Sequence, residues 1–184
     1  MNDQLDTPGQ FLIAKLNAFM RTTSGSEEAI NEMASRRVAS ADRGQDIISE
    51  GDEPRTVNLL ISGWACRYKM MEDGRRQILA FFLPGDLADL HVYILNAMDH
   101  SIGAITPVRF ARLAPKEFEE ISDAHPKLLR ALWWESLVTD SIQREWLVSV
   151  GQRDALDSLA HLACELYLRL KTVGLVQGRR CDFP

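Results

Sequence analysis

Cysteine is scarce in this chain: Cys66, Cys164 and Cys181 are the only three among 184 residues, and they are far apart. An odd, scattered set excludes a disulfide framework, and none stands at metal-ligand spacing from another. No cysteine precedes Cys66, so the N-terminal cluster that an iron–sulfur centre needs is missing. Long apolar runs are missing too; none approaches the roughly 20 residues that span a bilayer. The polar, acidic start over 1–10 has no secretory pattern. The expectation is a cytoplasmic protein with no membrane partner. Positive charge is not in excess: 21 Lys and Arg against 26 Asp and Glu leave −5. That is the wrong balance for a chain that itself grips nucleic acid.

What is present fits a soluble globular protein, with 46 % hydrophobic and 26 % charged residues. The length suits one core with a helical appendage. Phe11, Leu12, Leu16, Phe19 and Met20 recur at helical spacing. A second short helix is expected to start at Ser26, with Glu27 and Glu28 favoured in its first turn and Ile30 and Met33 inward. From about 37 to 113, short apolar runs alternate with glycine-bearing turns. The runs at 47–48, 57–61, 64–71, 78–83 and 108–113 predict strands of a sandwich, roll or barrel. Asp73-Gly74, between 64–71 and 77–82, is a hairpin signal. The fold class expected is α+β.

After Pro115 the pattern turns helical. A short helix with Phe118 and Ile121 ends near His125-Pro126, since a residue before proline avoids helical angles. Residues 127–150 hold no proline or glycine and predict a helix about 36 Å long. It has two apolar stripes: Leu128, Leu132, Val138, Ile142, Trp146 and Val150 on one side, and Leu129, Trp133, Leu137, Leu147 and Val148 roughly opposite. One stripe suffices for a surface helix. Two imply burial on both sides, one against the strands and one against a twofold partner. The first stripe is assigned to the partner, making a homodimer. Gly151 interrupts the stripe. A further helix, 154–170, has Asp154 as its N-cap and an apolar face from Ala155 to Leu170. The last ten residues read as a turn at Gly178 and the start of a strand.

This order of elements resembles the Crp/Fnr family. The resemblance covers nearly the whole chain. Its most specific parts are the turns Glu50-Gly51-Asp52, Ile61-Ser62-Gly63 and Leu83-Pro84-Gly85-Asp86, with Asp154-Ala155-Leu156-Asp157-Ser158-Leu159-Ala160-His161-Leu162 like the family's helix after the hinge. It implies helices plus a cyclic-nucleotide-binding-type β-roll over 1–126. A dimerisation helix then spans 127–150. A hinge, a helix and the start of a truncated DNA-binding domain follow over 151–184. It also implies DNA as a partner through a C-terminal helix-turn-helix absent from this chain, and RNA polymerase as a further partner.

In cyclic-AMP-binding members a Gly-Glu pair and an Arg-Ser or Arg-Thr pair follow the Pro-Gly-Asp turn; amides and guanidinium hold the phosphate. Here the pocket positions implied are Gly85, Asp86, Asp89, Leu90, His91, His100 and Ser101. Ser101 matches the family serine, but His100 stands where the arginine should be and Leu90 near the glutamate. This argues against cyclic AMP and leaves a different small-molecule effector, or none. His91, His100 and Cys66 are formal haem ligands but read as structural or surface residues. A stand-alone module that dimerises without binding DNA remains the alternative. The lack of a His-x-His start, and only two of four histidines falling in the roll, argue against a cupin-type metal enzyme.

Overall fold

The computed structural model describes residues 7–88, 90, 96–178 and 180–184. Two helices come first, α1 (Gln10–Asn17) and α2 (Ser24–Ser35). The second starts two residues earlier than Ser26, because Thr23 is the cap: its hydroxyl accepts from the Ser26 amide at 3.3 Å. Ser26 itself is buried beneath that turn.

Among the described residues eight strands follow: β1 (Val38–Ala41), β2 (Asp46–Ile48), β3 (Val57–Ser62), β4 (Ala65–Met70), β5 (Arg76–Phe82), β6 (Leu87–Ala88), β7 (Ser101–Ala104) and β8 (Val108–Leu113). They form two four-stranded antiparallel sheets, in the orders β1-β8-β3-β6 and β2-β7-β4-β5. The β4–β5 hairpin turns over Asp73-Gly74, as its sequence requires, with Met70 opposite Arg76. The short strands β1, β6 and β7 gave no sequence signal; two to four residues are too few for a period-two pattern.

Alternation explains the layering. On β3 and β8, Val57, Leu59, Ala111 and Leu113 face the helices with Leu12, Leu16, Ile30 and Met33. Leu60, Val108 and Phe110 face the roll interior with Ala65, Phe82 and Ile102. On β3 every residue from Val57 to Leu60 is buried, whereas Arg109 and Arg112 interrupt β8 at exposed positions.

Three helices close the chain: α3 (Pro115–Ala124), α4 (Pro126–Gln152) and α5 (Ala155–Thr172). Pro126 opens α4 at its first position, where a missing N–H costs nothing. At 27 residues α4 is about 40 Å long. Leu128, Ala131 and Leu132 bury it against the core shared by α1, α2 and the roll.

Two residues of the stripe assigned to a partner are placed otherwise. Leu128 and Leu132 are buried within the chain's own core and are not free for a partner. Val138, Ile142 and Trp146 also face inward, lining a cavity against the roll. Val150, from the same stripe, is instead 82 % exposed. The solvent side is the other stripe, with Trp133 57 % and Leu137 63 % exposed and Leu147 and Val148 exposed beside them. The two stripes are equally apolar, and periodicity cannot say which of them meets the roll.

Gly85 lies at φ +90° in the turn after β5, where a Cβ would come 2.7 Å from the Phe11 backbone carbon. Gly74 also has positive φ, but nothing lies within 4 Å of its Cβ position. Gly85→Ala is therefore expected to cost about 2 kcal/mol or more in urea unfolding, and Gly74→Ala about 1. Equal losses at both sites would contradict the close approach of α1 to this turn.

Candidate functional site

The Leu83-Pro84-Gly85-Asp86 turn is where the roll meets three helices. The Asp86 carboxylate takes the Leu83 amide at 2.7 Å, which closes the turn. The same oxygen accepts from Arg169 of α5 at 2.7 Å, and the other pairs with Lys15 of α1. Lys15 also pairs with Glu135 of α4, and Arg169 with Glu165 one helical turn before it, at 3.0 Å. Five charged side chains thus meet in the interior.

Burial pushes the Asp86 carboxyl up, but Lys15, Arg169 and the hydrogen bonds to it more than offset this, so it stays below the usual carboxylate range. Burial also pushes Glu135 up, and there Lys15 does not fully offset it; the neighbouring Asp86 charge adds to the rise. One oxygen of Glu135 is buried without a hydrogen-bond partner.

Beside this cluster a cavity of about 720 Å3 opens between the roll, α4 and α5. Period two on β4 brings Arg67 and Lys69 to it from the roll side. Leu79, Phe81, Val138, Ile142 and Trp146 give it apolar walls. Trp64, Phe81 and Trp146 stack edge-on in series, with centroids 6.4 and 5.9 Å apart.

The residues expected to make a phosphate pocket are placed unevenly. Gly85 donates its amide to the Leu60 carbonyl at 2.8 Å, so that N–H is not offered to a ligand. Asp86 is engaged by the charge cluster. Leu90 is buried in the core cluster and lines the cavity. Ser101 opens β7, and its hydroxyl accepts the Glu50 amide at 2.9 Å, tying down the Glu50-Gly51 turn. His100 lines the cavity, with its Nδ1 2.6 Å from Asp99. That hydrogen bond holds the Asp99 carboxyl below its usual range. Asp89 and His91 lie outside the described residues.

The cavity residues that pattern reading missed are Lys15, Arg67, Glu135, Glu165 and Arg169. Arg67, and Lys69 beside it, were findable: cations alternating with buried Cys66 and Tyr68 on a strand mark a polar face. The helical charges carried no signal, since single Lys, Glu or Arg residues on helices ordinarily face water. Burial pushes the Cys66 thiol up, in keeping with a small buried hydrophobe. His125 sits at the α3–α4 junction and His161 on α5, 3.8 Å from Glu145. Among the described residues no three His, Cys, Asp or Glu side chains are grouped to hold a metal. No described helix is long and apolar enough to cross a membrane.

Residues 38–125 match the model of the cyclic nucleotide-binding domain. The nitrogen fixation regulation protein FixK of Bradyrhizobium diazoefficiens is 33 % identical over 118 residues, 64 % of this chain and 48 % of that protein. The transcriptional activator protein FnrL of Cereibacter sphaeroides is 30 % identical over 65 % of this chain and 47 % of its own length. Residues 38–125 are a cyclic nucleotide-binding domain, of the kind these Crp/Fnr regulators carry. The solved structure of FixK2 from Bradyrhizobium japonicum shares the fold, with a TM-score of 0.64 at 23 % identity over 72 % of this chain and 66 % of that one. The chain spans about half the length of these curated relatives. These two relatives are named as a nitrogen fixation regulation protein and a transcriptional activator.

The charge cluster gives a pH-dependent expectation for the domain. Glu135 has a raised carboxyl pKa in the fold, so it favours the folded state at low pH and penalises it once ionised. Glu135→Gln should raise the melting temperature at pH 7, with the gain shrinking as pH falls through the carboxylate range. A lowered melting temperature at pH 7 would show that the Lys15–Glu135 attraction outweighs the cost of burying the charge.

Proposed function

We propose that this chain is the effector and dimerisation part of a bacterial, cytoplasmic, DNA-binding transcription regulator that does not respond to cyclic AMP. The observation that carries this is the double use of α4. Its inner side walls the cavity, and its outer side leaves an apolar stripe in solvent. A helix that touches both a ligand space and a partner can convert occupancy of one into geometry of the other.

Against cyclic AMP stands the engagement of the phosphate positions. The Gly85 amide, Asp86 and Ser101 are all committed to bonds within the chain, and His100 faces Asp99 where the binding members have a guanidinium. An imidazole beside a carboxylate is a poor anion clamp. The cavity instead offers apolar walls with Arg67 and Lys69 at the roll, the make-up of a small-molecule site.

The partner is a second copy of the chain, on the outer stripe of Trp133, Leu137, Leu147 and Val148. DNA contact belongs to the portion of the relatives that this chain does not span, and RNA polymerase would be met by the assembled regulator. A stand-alone module that dimerises without DNA is the alternative; it shares the dimer and lacks the DNA contact.

Two experiments test the reading. Millimolar cyclic AMP should leave the melting temperature unchanged, and a rise of several degrees would show that the His100–Ser101 region does hold a phosphate. Light scattering should give twice the chain mass for the parent and the single mass for Leu137→Glu. A monomeric parent, or a dimer that survives Leu137→Glu, would overturn the dimer assignment.

A further inference from the structure

Between α4 and α5 the chain is extended at two residues only, Arg153 and Asp154. Asp154 caps α5 by accepting the Asp157 amide at 2.9 Å, and α5 runs back to the roll. Its hold there is small. Leu166, Leu170 and Val173 are buried near its C-terminal end, while Leu156 and Leu159 face solvent. Arg169 supplies the polar contact with the roll, while Glu165 accepts the Trp146 indole N–H of α4 at 2.7 Å. The Arg169 Nη2 donates to the Phe81 carbonyl at 2.9 Å and to Asp86 at 2.7 Å, so it reaches both sides of the 83–86 turn.

We propose that Arg169 is a releasable latch: α5 docks on the roll and leaves it as one body about Arg153–Asp154, and the Arg169–Asp86 pair sets the balance. The arrangement of partners makes release possible. A buried ion pair is costly to break when it strands a lone charge. Here neither side is stranded. When α5 leaves, Asp86 keeps Lys15 and the Leu83 amide, and Arg169 keeps Glu165 on its own helix. Each half carries its own counter-charge, so the pair contributes direction to docking without holding it permanently. A planar guanidinium suits this use, since it serves a carboxylate and a carbonyl at once.

Release has a consequence at the cavity. Leu168, Arg169, Thr172 and Val173 of α5 form part of its wall, so undocking opens it. Occupancy of the cavity and position of α5 then share one equilibrium, and an occupant that contacts α5 shifts it. If the chain is part of a regulator, as proposed above, whatever follows α5 moves with it; this consequence rests on that reading, and the latch does not.

Hydrogen exchange by mass spectrometry on the 184-residue chain tests it. In Arg169→Gln, amides of residues 155–172 should exchange on the order of tenfold faster than in the parent, with β3, β8 and residues 126–135 unchanged. Arg169→Lys, which keeps the charge but loses the fork, should fall between the two. Unchanged exchange in α5 would overturn the proposal. So would faster exchange in β3 and β8 together with α5, since Arg169 would then be part of the common core. The readout involves neither DNA nor a partner, so its failure leaves the regulator reading standing, and failure of that reading leaves this result intact.

Discussion

The rest of the structure depends on the Asp86 carboxylate. It closes the turn after β5 through the Leu83 amide, receives Lys15 from α1 and receives Arg169 from α5. Through Lys15 it reaches Glu135 and so sets the rotation of α4 about its own axis. A charge in a low-dielectric interior is tolerated only when its partners are placed accurately, and such a cluster is therefore a strong geometric constraint and a weak source of net stability. Apolar packing by Leu128 and Leu132 holds α4 down. The charges specify which way it faces.

That rotation decides which side of α4 meets the roll. With Glu135 turned inward, Val138, Ile142 and Trp146 follow at helical spacing and wall the cavity. Trp133, Leu137 and Val148 are turned to solvent by the same geometry. The resemblance to cyclic-AMP-binding members implies a phosphate site after the Pro-Gly-Asp turn. In this chain the turn serves helix docking, and the cavity beside it has aromatic and aliphatic walls. One position in the motif has been put to a different physical use.

Much of the fold was legible in sequence because its signals are local. Glycine turns, the Asp73-Gly74 hairpin and the period-two strands mark the roll without knowledge of contacts. The two apolar stripes of α4 were also legible, but not which of them meets the roll. Leu128 and Trp133 carry equal apolar weight; the side that meets the roll is chosen by Lys15, more than a hundred residues earlier. The candidate site was less legible for the same reason. Asp86 was recognised as important and given a ligand's role, whereas its partners Lys15 and Arg169 lie 71 and 83 residues away and carry no local mark. Ser101 likewise looked like a ligand group and proved to be tied to a turn 51 residues distant.

The central claim is that α4 presents Ile142 to its own roll and Leu137 to a second copy. Thiol cross-linking tests it most directly, in a background with Cys164 and Cys181 changed to serine. A twofold axis along α4 brings identical positions of the outer stripe together. Leu137→Cys should give a linked dimer on mild oxidation, and Ile142→Cys should stay unlinked. Linkage through position 142, with none through 137, would contradict the account.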